Sequence, residues 1–386
     1  MQAQTRQGQH VHRDASSISW VVLWLTRILQ CDEKTPSCSA CARLELICDY
    51  ARRSPAQPPK ILTPAPAELT IRSQTQSSSW ETGDLELLHH YTTCCCVYVP
   101  GEHRQQLWTR QIVNLAFSQD YLLYMILAVS ALHCFHQNPS RDDLSAKAVK
   151  YRGQALLKIN PTLASMSADL CIPVFAFAGL SMVYAFAELV ILRDAEGPSY
   201  DPIRHITECL QQNFGIKTVV HTYRADIQNS WASELINIKS DEDFARISSS
   251  GLVFAHATLL HSLIDTHEPR PSYNCACHEA LRVLLQTLQI LMWRQEDHLT
   301  FHLINAWPSV LKPEFWELLE AKSPVALLVL AYFAALMSLR PKLWWFQHWP
   351  KLLFQKVEEH LVGDEWQEAL AWPKRVVDAP LAVAHS

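Results

Sequence analysis

The stretch Leu170 to Leu192, LCIPVFAFAGLSMVYAFAELVIL, decides the fold, because it is apolar nearly all round with Glu188 as its single charge. The segment Tyr121 to Phe135, YLLYMILAVSALHCF, has the same character. The longer segment has enough residues to span a bilayer. Pro173 and Gly179 interrupt it, however, and no cluster of lysine or arginine flanks either end. We therefore interpret both segments as buried helices of a large bundle and predict no membrane span.

Helix start and stop signals accompany this pattern. Asp201-Pro202 and Ser323-Pro324 each place a capping side chain directly before a proline at the first helical position. Gly215 marks the expected end of the helix that starts at Pro202, and Ser140-x-x-Asp143 resembles a capping box. We find no convincing alternation of apolar and polar residues between turn signals, so a sheet is not expected. The sequence predicts an all-α fold.

Composition limits the classes of function. The chain has 386 residues, 49% of them hydrophobic, and a formal net charge of −5, so a basic DNA-binding module would be hidden in the total. Nine glycines and the absence of G-x-G-x-x-G, P-loop, G-x-S-x-G and H-E-x-x-H motifs argue against nucleotide binding and familiar enzyme classes. Twelve cysteines without a cleavable signal peptide indicate a reducing compartment. We predict a protein that is not an enzyme.

Four cysteines near the N-terminus have the spacing of a metal site. Cys31, Cys38, Cys41 and Cys48 form the pattern C-x6-C-x2-C-x6-C. Two thiolates in a C-x2-C turn supply two tetrahedral positions without distorting the backbone, and four thiolates can close a structural zinc site. We predict these four residues as zinc ligands.

The quartet, with Pro36 two residues before Cys38, resembles the last four ligands of the fungal Zn2Cys6 binuclear cluster. In that family six thiolates hold two zinc ions and present a short helix to DNA. Residues 1–30 contain no cysteine, so two of the six family ligands are absent. The resemblance implies zinc as cofactor, with occupancy left open. One hypothesis is that residues 1–30, an atypical N-terminal segment, derive from an alternative or mispredicted first exon.

The resemblance also implies DNA as a partner, although basic residues are sparse. In the family a basic helix lies between the second and third cysteines, and here that interval retains a single arginine. Clustered lysine and arginine supply phosphate contacts through counterion release, and the remaining cations suit backbone contact better than base readout. The predicted DNA-binding residues are Arg27, Lys34, Arg43, Arg52 and Arg53.

A second resemblance covers the helical region, roughly Asp84 to Pro373. The order of the segments Asp84 to Tyr91, Leu115 to His133, Ser323 to Ala334 and Trp344 to Trp349 is similar to the regulatory domain of fungal factors of the sterol uptake control type. The resemblance implies a helical effector and activation module that binds an apolar effector such as a sterol. For any single aromatic residue, a place in the core is the more frequent fate.

We therefore predict four parts: the atypical segment 1–30, a partial zinc cluster in 31–50, a Pro/Ser-rich linker in 51–83, and a helical regulatory domain in 84–386. The predicted function is a nuclear zinc-cluster regulator of transcription by RNA polymerase II, acting on sterol or secondary-metabolite genes and cytoplasmic when inactive. The alternative is a DNA-binding-deficient interaction protein that retains the helical domain. A homodimer or heterodimer is expected to form without the coiled coil that often follows such clusters.

Other cysteine and histidine groups are interpreted as structural. They are Cys94-Cys95-Cys96, Cys275-x-Cys277-His278, His89-His90, the histidines between His256 and His267, and the pair His298 and His302. Free cysteine on a helix usually behaves as a small buried hydrophobe. The histidines lack an identifiable third ligand or catalytic partner in the sequence, so we predict surface or core positions for them.

Overall fold

A computed structural model describes residues 80–99, 101–235, 257–293, 307–339 and 343–379. Within these residues every regular element is helical. The all-α prediction is confirmed. The first part of the chain contains α1 (Thr82–Thr93), α2 (Glu102–Gln106), α3 (Ile112–Ala116), α4 (Asp120–Gln137), α5 (Asp142–Ala164), α6 (Cys171–Ala187), α7 (Leu189–Glu196), α8 (Pro202–Thr222) and α9 (Arg224–Gln228). A 3₁₀ segment, Cys95–Tyr98, follows α1, and a π-helical turn, Leu107–Gln111, joins α2 to α3.

The second part continues the same architecture. It contains α10 (Ala257–His267), α11 (Pro271–Trp293), α12 (Pro313–Glu320), α13 (Pro324–Ser338), α14 (Trp349–His360) and α15 (Asp364–Asp378). A short 3₁₀ segment, Trp344–Phe346, precedes α14. The two parts share one hydrophobic core, in which α8 packs against α6, α12 and α14.

Two helices occupy the centres of the two parts. Helix α4 packs against α1, α5 and α6, and helix α13 packs against α11, α14 and α15. Both are apolar on nearly all sides, because each is surrounded by other helices instead of facing water. The hydrophobic effect on these fully buried side chains, about 1.5–3 kcal/mol each, is the main source of stability in such a bundle.

The two apolar segments that decided the prediction are buried helices. The segment Ala168–Arg193 is long and apolar enough to cross a bilayer by length and composition, yet most of it is buried inside the protein. Pro173 lies in the first turn of α6, where its missing N–H costs no helical hydrogen bond. The helix does not run unbroken to Leu192, because α6 ends at Ala187 and α7 begins at Leu189.

The predicted helix signals have mixed outcomes. The Asp201 side chain accepts hydrogen bonds from the amides of Ile203 and Arg204, which confirms the predicted cap of α8. Ser323 also occupies the N-cap position before Pro324, but its side chain makes no capping hydrogen bond. Gly215 was wrongly predicted to end α8, which continues to Thr222.

The predicted capping box at Ser140 is wrong. Helix α5 begins at Asp142, with Arg141 at the N-cap position. The Ser140 hydroxyl donates to the Asn138 side chain, 2.6 Å away, instead of reaching the helix. The Asp143 carboxylate accepts two hydrogen bonds of 2.7 Å from Arg141, so it is not available for a box.

Candidate functional site

The predicted zinc and DNA-binding residues lie outside the described part of the chain. These are Cys31, Cys38, Cys41 and Cys48 for the metal, and Arg27, Lys34, Arg43, Arg52 and Arg53 for DNA. The histidines His298 and His302 also lie outside it. Their roles remain predictions. The candidate sites described below lie in the helical region.

A buried ion pair lies at the C-terminal end of α6. Arg152 of α5 donates from Nη1 to Oε2 of Glu188 at 2.8 Å, and both side chains are about nine-tenths buried. The guanidinium also lies over the Tyr184 ring, 4.9 Å from its centroid. Burial alone would lower the pKa of Arg152, but the nearby carboxylate of Glu188 and other neighbouring acidic groups together outweigh burial and raise it, so the guanidinium stays charged.

His205 of α8 extends this network. Its Nε2 lies 3.1 Å from the carbonyl oxygen of Ala185, which can only accept, so Nε2 carries a hydrogen. Its Nδ1 lies 2.6 Å from the hydroxyl of Tyr200. Next to it, the Trp349 indole donates to the carbonyl of Phe186 at 2.8 Å. These side chains satisfy carbonyls that the end of an α-helix leaves without partners, which identifies the network as structural.

A second polar cluster joins α1, the following 3₁₀ segment and α4. His133 Nδ1 lies 2.9 Å from His90 Nε2 and 3.4 Å from Cys95 Sγ. His133 and Cys95 are buried, whereas His90 is half-buried. Among the described residues, these three form the one group of His, Cys, Asp or Glu side chains arranged closely enough to hold a metal ion. The sequence interpretation missed it, because His133 is 38 residues from Cys95 and carries no local motif.

Burial governs the protonation of this cluster. Burial, followed by the neighbouring His90 and His136, lowers the pKa of His133 to about 4, so its imidazole is neutral at physiological pH. Burial also raises the pKa of the Cys95 thiol well above its ordinary value. Cys95 is therefore not an activated nucleophile of the kind found in cysteine enzymes.

The predicted motif Cys275-x-Cys277-His278 does not form a thiol cluster. Cys275 is exposed, whereas Cys277 is fully buried, because residues two positions apart on a helix lie on different faces of it. His278 instead lies 2.6 Å from His261, Nδ1 to Nδ1, and 2.8 Å from the exposed carboxylate of Asp265. The interpretation of these cysteines as structural therefore agrees with their positions.

The largest aromatic side chains are core residues. Trp307 and Trp349 are fully buried, and Trp307 stacks on Phe333 with ring centroids 4.7 Å apart. Tyr332 stacks on Trp372 in the same way at 5.6 Å and donates its hydroxyl to the Ala369 carbonyl. These rings are occupied by contacts with each other, as expected of a packed interior.

Family comparisons give the context for these groups. Residues 27–57 match the fungal Zn(2)-Cys(6) binuclear cluster domain, and residues 86–192 match the fungal specific transcription factor domain. Both matched domains are domains of fungal zinc-cluster transcription factors, which the chain therefore resembles in two separate regions. The match over residues 86–192 spans α1 to α7, which carry both the ion pair and the His90 cluster.

Two curated relatives are similar to part of this chain. A Zn(2)-C6 fungal-type transcription factor of Gibberella zeae is 24% identical over 318 residues, which cover 76% of this chain and 61% of the relative. The Zn(2)-C6 fungal-type transcription factor afumD of Aspergillus fumigatus is 33% identical over 137 residues, 34% of this chain and 36% of the relative. The chain thus spans about three fifths of the length of the first relative and about one third of the length of the second.

The two domain matches support several predictions at the level of the family. The Zn(2)-Cys(6) domain binds zinc and DNA, and the proteins that carry it are nuclear regulators rather than enzymes. The donor set of this chain fits zinc, because the thiolates of Cys31, Cys38, Cys41 and Cys48 suffice for one closed tetrahedral site. A two-zinc cluster needs two further thiolates, which residues 1–30 do not contain.

Proposed function

We propose that this chain is a nuclear transcriptional regulator that binds duplex DNA through residues 31–50 and transmits a signal through the helical region after Asp84. The observation that carries the proposal is the order of two family domains in one chain, the zinc cluster at 27–57 and the transcription factor domain at 86–192. The linker in 51–83 separates them and is rich in proline and serine. In the proposal, Lys34 and Arg43 of this segment and the flanking residues Arg27, Arg52 and Arg53 contact the phosphate backbone.

Selection of binding sites from a random pool of duplex DNA by the full chain tests this proposal. We expect an enriched sequence, zinc-dependent binding, and loss of affinity with rising salt because phosphate contacts release counterions. The variant Cys38→Ser with Cys41→Ser should lose enrichment. The matched control Cys275→Ser removes an exposed thiol of the helical region and should retain it. Absence of both enrichment and salt-dependent DNA retention would refute DNA binding by this chain.

The second candidate is an interaction protein of the same family that does not bind DNA. It is favoured by residues 1–30, which contain no cysteine, and by the interval 24–30, where the family has its basic helix and this chain has a single arginine, Arg27. In this case the chain would pair with an intact relative through the helical region. Co-purification of tagged chain with a full-length zinc-cluster relative, together with unselective DNA binding, distinguishes it from the first candidate.

Three finer predictions extend the proposal: an apolar effector such as a sterol, a dimer, and retention in the cytoplasm when inactive. The first finds least support, since the described tryptophans and phenylalanines pack mainly against one another. Titration of the full chain with a fluorescent sterol, read by quenching of the tryptophans, tests the effector directly. Unchanged tryptophan emission at saturating sterol would remove that prediction.

A further inference from the structure

We propose that His90, Cys95 and His133 form a zinc-binding site in the helical domain, separate from the thiolates of residues 31–50. The proposal starts from donor type. Two imidazole nitrogens and one thiol sulfur suit zinc and similar soft transition metals, whereas magnesium and calcium require oxygen ligands. Two of the three donors, Cys95 and His133, are buried, and a polar group removed from water needs a partner.

The distances between the donor atoms are close to those that zinc requires. Zinc bonds of about 2.0–2.1 Å to nitrogen and about 2.3 Å to sulfur, at tetrahedral angles, separate two nitrogens by about 3.3 Å and nitrogen from sulfur by about 3.6 Å. The observed separations are 2.9 Å between the two histidines and 3.4 Å between His133 and Cys95. All three ligand atoms lie within 4.8 Å of one another. Lengthening the two measured separations, from His133 to His90 and to Cys95, by a few tenths of an ångström would bring them to the values for zinc.

The backbone holds the donors in register. Ser130 of α4 donates to the carbonyl of Leu87 in α1 at 2.6 Å, one turn before the histidine pair. In each of these two contacts the partners are 43 residues apart in the sequence. A single alignment of α1 against α4 therefore places His90 opposite His133. The 3₁₀ segment then turns the chain back and directs Cys95 toward the same nitrogen.

The protonation of the site is compatible with zinc. A neutral imidazole has one nitrogen with a free lone pair, and the tautomer with its hydrogen on Nε2 presents the Nδ1 lone pair of His133 to a metal. The Cys95 thiol would release its proton when the metal binds, and the charge of the ion would compensate the buried thiolate. The amide nitrogen of Gln137 lies 3.4 Å from His133 Nε2. With zinc on Nδ1 the ring hydrogen is on Nε2, and a turn of the Gln137 amide group would bring its oxygen to accept that hydrogen.

Half-exposure of His90 leaves one side of the site accessible from solvent. A zinc ion held by three protein ligands keeps a fourth position for water or another small ligand, in contrast to a closed four-thiolate site. The ion would connect α1 to the central helix α4. Because zinc would bind the folded state, it would raise the unfolding temperature of the helical domain.

The test uses the full chain carrying serine in place of Cys31, Cys38, Cys41 and Cys48, so that the N-terminal thiolates cannot contribute. Titration with Co²⁺ as a probe should give one bound ion per chain, with visible bands of tetrahedral cobalt and one thiolate charge-transfer band. Adding Cys95→Ser or His133→Gln in this background should lower affinity at least tenfold. The matched controls Cys277→Ser and His261→Gln, which alter another buried cysteine and another histidine pair, should leave it unchanged.

A second measurement requires no change in the site. Zinc X-ray absorption of the chain with the four serines should show one sulfur and two imidazoles around the ion. A shell without sulfur, or cobalt affinity that is the same with Cys95→Ser and His133→Gln as without them, would overturn the proposal. So would the absence of any metal retained after dialysis at neutral pH. In any of these three cases the side chains of His90, Cys95 and His133 form a hydrogen-bonded cluster only.

Discussion

Helices α6 and α13 are almost equally hydrophobic but are held in place differently. Both are long apolar helices, and both contact several neighbours. Every residue from Val325 to Ser338 of α13 is buried, whereas α6 has Ile172, Phe175 and Val183 only half-buried. Hydropathy therefore identifies both as interior helices, but it does not distinguish a helix enclosed on all sides from one with a partly open side.

The polar partners of the two helices make the difference clear. The end of α6 is fixed by directional contacts: the Arg152 and Glu188 pair, His205 on the Ala185 carbonyl, and Trp349 on the Phe186 carbonyl. In α13 the contacts are mainly those of packed apolar side chains. Directional contacts specify one orientation, whereas apolar packing supplies most of the free energy. We therefore expect the two helices to respond to different kinds of substitution.

The largest effect is expected from Arg152→Ala at the end of α6. The change leaves the buried carboxylate of Glu188 without its partner, which costs about 3–5 kcal/mol of the free energy of unfolding. Chemical denaturation of the full chain measures it. The double variant Arg152→Met with Glu188→Leu removes both charges and should recover most of the loss. A loss below about 1 kcal/mol for Arg152→Ala would show that α6 does not depend on this pair.

The next effect concerns packing in α13. Ala331 is fully buried, so Ala331→Leu inserts atoms where no space is open and should cost about 1–3 kcal/mol. Ala146 is an exposed alanine of α5, and Ala146→Leu serves as the control with little expected change. Thermal unfolding followed by circular dichroism compares them. Equal melting temperatures for the two variants would contradict the close packing of α13.

The two prolyl helix starts provide a smaller test. Asp201→Ala removes the capping carboxylate of α8, the helix that packs on α6, and should cost about 1 kcal/mol. Ser323→Ala at the start of α13 should cost less, because the Ser323 side chain makes no capping hydrogen bond. Denaturation midpoints of the two variants give the comparison. A larger loss for Ser323→Ala would reverse our assignment of the two caps.

The same carboxylate gives a pH dependence. Burial acts to raise the pKa of Asp201, but Lys322, 2.7 Å away, and the helix amides outweigh burial and lower it. The folded pKa therefore lies below the unfolded value of about 3.9, so the stabilisation is present above that pH and is lost as pH falls through the folded pKa. The variant Asp201→Asn keeps a capping oxygen but has no carboxylate to protonate. The free energy of unfolding, measured by denaturation across acidic pH, should therefore fall less steeply for the variant than for the wild type.

The smallest effect is expected at Gly179 in α6. An added Cβ would lie 3.4 Å from Trp108, in ordinary van der Waals contact, so Gly179→Ala should stabilise the helix by about 0.5–1 kcal/mol. Gly101 has a φ of +89° with open space around it, so Gly101→Ala should destabilise through backbone strain alone. Urea midpoints of both variants test the pair. Destabilisation by Gly179→Ala would indicate that Trp108 cannot move.

The sequence predicted the helical class well because the deciding signals are local. Apolar segments around Tyr121 and Leu170 and the cap at Asp201 depend on neighbouring residues only. The error at Ser140 arose because Ser140 and Asp143 form other local hydrogen bonds, with Asn138 and Arg141. The error at Gly215 arose where tertiary packing overrides local preference. Gly215 lies inside a helix whose later turns bury Val219, and that burial extends the helix past the glycine.

The candidate sites were predicted unevenly. The cysteines from Cys31 to Cys48 identified the family by spacing, and their role as ligands stays a prediction. The group of His90, Cys95 and His133 could not be read from spacing, since its members meet only when α1 lies against α4. The one available sequence signal was the coincidence of a triple cysteine with His90 at the end of an amphipathic helix.

The hydrogen bond from Trp349 to the Phe186 carbonyl has a consequence for synthesis of the protein, because it joins residues 163 positions apart. At translation rates of about 5–20 residues per second, that interval takes about 10–30 s. During this time α6 has been made, but the helix that covers its end has not. A nascent chain would thus leave the C-terminal end of α6 uncovered, although α4 and α8 are already available to pack along the helix. We expect chaperones to bind the chain between the synthesis of α6 and that of α14.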